Sequence, residues 1–334
     1  MIEIFFLGTG GTVPSPLRGL PSIVLRRRGE IFMFDCGEGT QFRYMSLHLG
    51  VNKRMRIFIT HLHGDHVLGL PGLLMTFSVL GREKPLEIYG PQGIKELIDK
   101  VFSLTNFIPE YEVKIVEVNS PSIIVKERDY FITTDIVDHT VTTFAYSLEE
   151  YPKPGRFNPQ KAISLGVPKG PLWKKLQLGY SITLPNGRVI RPEDVLEGKR
   201  PGMKIVYSGD TRPCSSLIKL ATNASLLIHD STFPSDLKEK AKEAGHSTVE
   251  EACRVAIEAN VQYLVLFHLS ARIVDTVDLL RKAKEFFEKS IVAEDYMKIE
   301  LRDGGVTKVE NLRDQVVQSC QQVNLRQSEG LTNL

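Results

Sequence analysis

Nothing in this sequence suggests a disulfide-built, secreted or membrane-spanning protein. Only four of the 334 residues are cysteine. Cys36, Cys214, Cys253 and Cys320 match neither a disulfide framework nor a thiolate metal site, and they read as reduced cytosolic thiols. No apolar run reaches bilayer length: the longest, 67–81, is interrupted by Pro71 and several glycines. The opening Met-Ile-Glu-Ile-Phe-Phe lacks a preceding basic region and reads as a strand, not a signal peptide. The expected location is the cytoplasm, with no membrane partner. Net charge is scarce too: 42 Lys and Arg against 40 Asp and Glu leave +2. A polyanionic partner would therefore have to be met by local charge.

Histidine, by contrast, is concentrated. Three of the eight histidines fall in Thr60-His61-Leu62-His63-Gly64-Asp65-His66, directly after the apolar run 55–59, which reads as a buried strand. A turn there aims alternate side chains at one point, where imidazole nitrogens and a carboxylate suit zinc or a similar borderline metal. A solvated polar loop is the bland alternative, and HxHxDH after a strand outweighs it. His139 follows another apolar stretch in Asp138-His139-Thr140, Asp210 follows one in Tyr-Ser-Gly-Asp, and His268 follows a third in Leu-Phe-His. Any one alone would read as a hydrogen-bonded structural residue. Their recurrence past strand ends predicts a metal centre on one rim of a sheet, with enough ligands for two ions sharing one carboxylate.

The remaining pattern predicts an α/β protein. Strands are expected over 2–7, 22–28, 30–36, 86–89, 112–118, 122–125, 130–137, 204–207, 226–229, 263–267 and 296–301. Helices are expected over 40–49, after His66, and over 93–102, 248–259 and 276–287. This mixed order, with early hairpins, suggests a sandwich of two sheets with helices on the outer faces. A single domain is expected over 1–308, interrupted by a proline-, glycine- and lysine-rich insertion at about 151–179. The Gln- and Asn-rich stretch 309–334 reads as a poorly ordered polar tail.

These motifs resemble those of the metallo-β-lactamase superfamily and, more narrowly, of the ribonuclease Z family, the tRNA 3′-processing endonucleases. The resemblance runs from residue 2 to about 301. It is carried by Phe-Leu-Gly-Thr-Gly-Gly-Thr at 6–12, Asp35-Cys-Gly-Glu-Gly-Thr-Gln41, the His61–His66 run, Gly209-Asp210-Thr211 and His246-Ser247-Thr248. It implies one zinc on His61, His63 and His139, a second on Asp65, His66 and His268, and Asp210 bridging them. Such a pair stabilises a phosphodiester under attack and lowers the pKa of a bound water, which Asp65 would orient or deprotonate. His246 would protonate the departing ribose 3′ oxygen. The family pairs that histidine with the glutamate of a His-Glu-Ala-Thr segment; here the segment is His229-Asp230-Ser231-Thr232, so Asp230 takes the place one methylene shorter. His229 and His48 read as structural. Gly37 and Gly39 would let the backbone approach an anion, and Ser270 and Arg272 would contact the RNA backbone or its 3′ end.

The insertion points to the substrate. Lys153, Arg156, Lys161, Lys169, Lys174 and Lys175 stand in 151–179 without a single Asp or Glu, interleaved with Phe157 and Trp173. A basic stripe without counter-charge attracts phosphates, although a solvated lysine-rich loop is the ordinary alternative. Its Gly-Val-Pro-Lys-Gly-Pro-Leu stretch resembles the arm with which the family grips tRNA, one subunit serving its partner's active site. Precursor tRNA and a homodimer are the implied partners. The family's lysine and Arg-Asn pair, associated with rejection of CCA-ended tRNA, is absent from Pro14-Ser-Pro-Leu-Arg18-Gly-Leu, where Arg18 is the remaining candidate for the RNA 3′ end. The competing readings are a phosphodiesterase for small diesters and a noncatalytic RNA-binding relative. The basic stripe weighs against the first, and the intact ligand set against the second.

Overall fold

The computed structural model describes residues 1–198 and 200–318. Strands β1 (Ile2–Gly8), β2 (Ser22–Arg27), β3 (Glu30–Phe34), β4 (Met55–Phe58), β5 (Leu86–Pro91) and β6 (Val113–Val118) build a first sheet; β7 (Ser122–Lys126), β8 (Tyr130–Val137) and β9 (Thr143–Glu150) begin a second. After short strands β10 (Arg156–Phe157), β11 (Ile182–Thr183), β12 (Val189–Ile190) and β13 (Leu196–Glu197), the second sheet is completed by β14 (Lys204–Tyr207), β15 (Leu226–Asp230), β16 (Leu264–Phe267) and β17 (Ser290–Val292). Strands β18 (Met297–Arg302) and β19 (Gly305–Asn311) return to the first. The orders are β19-β18-β1-β2-β3-β4-β5-β6 and β17-β16-β15-β14-β9-β8-β7. Both sheets are mixed: β3 to β6 and β14 to β17 pair in parallel, the rest antiparallel.

Alternation along each strand explains the sandwich. In β1, Ile2, Ile4 and Phe6 face the second sheet and meet Phe144, Tyr146, Ile205 and Phe267 in a shared core. Phe5 and Leu7 point the other way, into a layer with Leu70, Leu73, Leu74 and Phe77 of helix Gly69–Val79 and Ile94 and Ile98 of helix Ile94–Leu104. The outer face of the second sheet is closed by Leu217, Ala252, Cys253, Ala256 and Leu279, from three further helices. A strand buried on both faces reads as a near-continuous apolar run, as β1 does.

Two expected boundaries are corrected. The insertion does not end near 179; it is a small lobe whose backbone closes through paired hydrogen bonds between Lys153 and Arg200 (2.9 and 3.0 Å). Within it β10 pairs with β13 and β11 with β12, around Ala162, Val167, Leu176, Ile182, Leu184, Ile190 and Val195. The stretch from 309 does not begin as a loose tail either, because Val309 pairs with Ile299 inside β19. The rest of that expected tail, from 319 and including Cys320, lies outside the described residues. Among the described residues Cys36, Cys214 and Cys253 are free thiols, and no helix is long and apolar enough to cross a membrane.

Candidate metal centre

The expected ligands come from four strand ends that share one rim. Strand β4 runs into His61–His66, β8 into His139, β14 into Asp210 and β16 into His268. The two sheets are stitched together at this rim: the Phe144 amide donates to the Thr60 carbonyl (3.0 Å) and the Tyr146 hydroxyl to the Ile59 carbonyl (2.8 Å). This follows the rule that sites in α/β sheets lie beyond the carboxyl ends of strands.

All seven side chains converge. His61, His63, His139 and Asp210 form one group of closely spaced ligand atoms, and Asp65, His66 and His268 form a second. His61 Nε2 lies 3.0 Å from His63 Nδ1, which lies 3.3 Å from His139 Nε2. His66 Nε2 and His268 Nε2 are 3.2 Å apart. Asp210 Oδ2 stands between the groups, 3.2 Å from His66, 3.4 Å from His268 and 3.7 Å from His61. Asp65 Oδ2 is 3.4 Å from His268 and 3.6 Å from His66.

Hydrogen bonding on the outer side of the rings determines what faces inward. His66 Nδ1 donates to Asp35 Oδ2 (2.7 Å), His139 Nδ1 to the Gly245 carbonyl (2.7 Å), His61 Nδ1 to Thr60 Oγ1 (2.9 Å) and His268 Nδ1 to Thr232 Oγ1 (2.7 Å). These partners place the proton on Nδ1 and aim Nε2 inward; His63 alone offers Nδ1. Protons can balance only part of the cluster. Although burial opposes it, the Asp210 and Asp35 carboxylates hold His66 well above the usual histidine range, so His66 can donate to Asp210. Burial and the neighbouring imidazoles keep His61 well below that range, and one His63 proton cannot serve both His61 and His139. Burial also pushes Asp210 upward, but the imidazoles of His268, His66 and His61 more than offset it and hold the carboxyl well down. Asp210 Oδ1 is buried without a hydrogen-bond partner among the described residues. A tetrahedral ion bound at ordinary zinc–nitrogen distances separates its ligand nitrogens by roughly 3.3 Å, the spacing seen here. The residues fit a divalent cation.

Beside the cluster, His246 Nδ1 donates to Asp230 Oδ2 at 2.8 Å, so the shorter carboxylate makes the pairing. Asp230 is fixed from every side: Thr211 N donates to its Oδ2 (3.0 Å), and Thr232 N (3.0 Å) and Oγ1 (2.6 Å) to its Oδ1. Burial lowers the pKa of His246, yet the Asp230 carboxylate beside it, with help from Asp210, raises it to about 9. His246 lines a cleft of about 640 Å³ with His63, Asp65, His139, Asp210, Thr12 and Pro14.

Asp35 has a role that its motif alone does not reveal. Buried, with φ 55°, it also accepts from Thr60 N (2.8 Å) and the Tyr207 hydroxyl (2.7 Å), and so orients His66. Its acidic side chain at the end of β3, the strand beside β4, was the available signal. Arg18 does not meet its expectation: it is 6% exposed and its Nη1 donates to the Ile273 carbonyl (2.6 Å). Gly37 serves close packing, since a Cβ there would sit 2.4 Å from the Asp65 carbonyl oxygen. His229 is buried, bonded at Nδ1 to the Asp230 carbonyl (2.7 Å). Arg156, Lys161, Lys169, Lys174 and Lys175 are exposed on the lobe and Arg272 is exposed past β16, whereas Lys153 is half-buried and paired with Glu150 (2.6 Å).

Comparison with known proteins finds relatives along nearly the whole chain. A family profile described as anti-Pycsar protein Apyc1 matches residues 2–106. Ribonuclease Z of Methanosarcina acetivorans is 44% identical over 90% of this chain and 98% of its own length. Ribonuclease Z of Methanothermobacter thermautotrophicus is 46% identical over 90% and 97%, and that of Nitrosopumilus maritimus 45% over 90% and 100%. Among solved structures, human tRNase Z, short form, matches with TM-score 0.65 and 28% identity over 90% of this chain and 99% of its own. The metallo-β-lactamase fold protein YhfI from Bacillus subtilis matches with TM-score 0.62 at 20% identity, over 90% and 100%, a likeness of fold. On this identity, carried over nearly the full length of its relatives, the chain belongs to the ribonuclease Z family.

Proposed function

We propose that this protein is a metal-dependent endoribonuclease that removes the 3′ trailer from precursor tRNA, leaving a 3′-hydroxyl on the tRNA and a 5′-phosphate on the trailer. Full-length identity to ribonucleases Z carries the reading, and a charged His246–Asp230 pair beside a seven-ligand cluster supports the chemistry. His61, His63 and His139 would hold one zinc, Asp65, His66 and His268 a second, and Asp210 both; the same donors accept manganese or cobalt. Bound there, the cations supply Lewis-acid stabilisation of the phosphodiester and a water of lowered pKa. Asp65, at the cleft wall, takes up or directs the water's proton. His246, protonated through Asp230, delivers a proton from Nε2 to the departing ribose oxygen. Asp35, Thr60, Thr232 and Gly245 hold the imidazoles in register.

Purified protein incubated with 3′-extended tRNA should release an intact 5′-phosphorylated trailer. Chelator should stop the reaction and zinc restore it. Chelator-resistant cleavage, or a cyclic phosphate at the new 3′ end, would remove this reading.

The lobe is proposed as the tRNA grip. Between 151 and 200 it carries ten Lys and Arg against three Asp and Glu, a local excess suited to backbone phosphates. Because Lys153 and Arg200 are bonded backbone to backbone, excising 154–199 and joining the ends with a short linker should leave the sandwich closed. The excised protein should show a raised KM for precursor tRNA with unchanged turnover of a small diester. Unchanged tRNA kinetics would end the grip proposal. A homodimer is proposed as well. The adjacent helices Thr40–Ser46, Gly69–Val79 and Ile94–Leu104 leave Phe42, Val79 and Leu104 exposed, apolar surface that a second subunit would cover.

A further inference from the structure

The loop between β1 and β2 makes contacts that the metal cluster alone does not explain. Thr12 has φ 61°, a left-handed conformation that a β-branched residue adopts only when held there. Its amide donates to Asp65 Oδ2 at 2.7 Å, the same oxygen that faces His66 and His268. One residue earlier, a Cβ on Gly11 would fall 2.2 Å from the His268 ring, so only a bare backbone fits beside that imidazole. The loop is bound to the segment after β16 beside this contact: Gly11 N donates to the Leu269 carbonyl (3.1 Å) and Leu269 N to the Thr9 carbonyl (2.9 Å).

The two ends of this loop share one anchor. Asp295, 1% exposed between β17 and β18, accepts from Thr9 N (3.0 Å) and Thr9 Oγ1 (2.8 Å) through Oδ1, and from Gly19 N (2.7 Å) through Oδ2. Arg43 Nε stands 3.1 Å from the same Oδ2. A single buried carboxylate from the far end of the chain thus clips together residues 9 and 19, and the span between them reaches Asp65. That span also borders the cleft through Thr12 and Pro14.

Resting on the reading of Asp65 and His268 as metal ligands, we infer that Asp295 and Thr12 are positioning residues for the Asp65–His66–His268 half of the centre. Asp295 locks the loop, and the Thr12 amide in turn fixes the direction of the Asp65 carboxylate. Asparagine at 295 would set an NH2 against the donors of Thr9 or Gly19, and proline at 12 would remove the amide donor and forbid the positive φ.

The test compares Asp295→Asn and Thr12→Pro with the parent and with Asp65→Ala. All are loaded with zinc and assayed on precursor tRNA and on bis(p-nitrophenyl) phosphate, and zinc retention is titrated against a competing chelator. Both positioning variants should lose roughly 10- to 100-fold in kcat on both substrates, the usual effect of disturbing a ligand's supporting hydrogen bond. KM should stay near the parent value, and one zinc should leave at lower chelator while the other holds. Thr12 is exposed, so Thr12→Pro carries the test alone if Asp295→Asn does not fold. Parent-like kcat and zinc retention in the positioning variants, with Asp65→Ala inactive, overturns the inference. A loss confined to KM for tRNA overturns it too. An active Asp65→Ala instead overturns the ligand reading beneath it.

Discussion

Asp210→Asn should lose turnover by roughly 10³-fold or more, because stabilisation by a paired metal centre is worth several kcal/mol and each 1.36 kcal/mol is tenfold in rate. The substitution keeps the shape of the side chain and removes the charge that stands between the two ligand groups, 3.2 Å from His66 and 3.7 Å from His61. It should therefore lower metal content at both positions, whereas Asp65→Ala should lower it at one. The two losses are separable by elemental analysis of dialysed protein beside single-turnover rates. Overall folding should survive, since among the described residues Asp210 Oδ1 has no hydrogen-bond partner to lose. Full metal content in an inactive Asp210→Asn would show that the carboxylate acts on substrate and is not shared by two ions.

The same residues explain how much of the site is legible in the sequence. His61, His63, Asp65 and His66 were legible because all four sit in one turn, so their convergence is a local property of strand and spacing. His139, Asp210 and His268 needed only the added idea that apolar strands deliver their next residue to a common rim. Strand β9 was not expected at all: Thr-Phe-Ala-Tyr-Ser-Leu-Glu-Glu carries little β-branching, and its place in mid-sheet between β8 and β14 is imposed by tertiary pairing. The lobe's end was misplaced because its core is split between 162 and 195, with Leu184 and Ile190 on either side of a turn that looks like ordinary loop. Arg18 departs from its expected place for a different reason. Charge in a sequence says nothing about burial, and this guanidinium is spent on the Ile273 carbonyl. Asp35 shows the reverse case, a residue noticed for recognition whose work, orienting His66, depends on a neighbouring strand and on Tyr207 arriving from the other sheet.

His246→Asn should slow the chemical step by about 10²- to 10⁴-fold, roughly 3 to 5 kcal/mol of barrier, the range for a lost general acid. The structure adds a pH signature that separates this role from packing. Without bound metal, Asp230 raises His246 to about 9 against the downward pull of burial, so His246 carries its proton at neutral pH and sheds it on the alkaline side. Turnover should fall on the alkaline side. In Asp230→Asn the favourable charge is gone while burial remains, so the histidine moves toward or below its ordinary value of about 6.5. An amide nitrogen facing His246 Nδ1 would also leave the ring neutral, with its remaining proton on Nε2 and too weakly acidic to donate. Metal ions nearby act downward in both proteins, so the expectation is a difference between them: the ratio of parent to Asp230→Asn kcat should grow steadily from pH 6 to pH 9. A constant ratio across that range, with KM unchanged, would assign Asp230 to holding Thr211 and Thr232 in place and leave the proton of the departing oxygen to another donor.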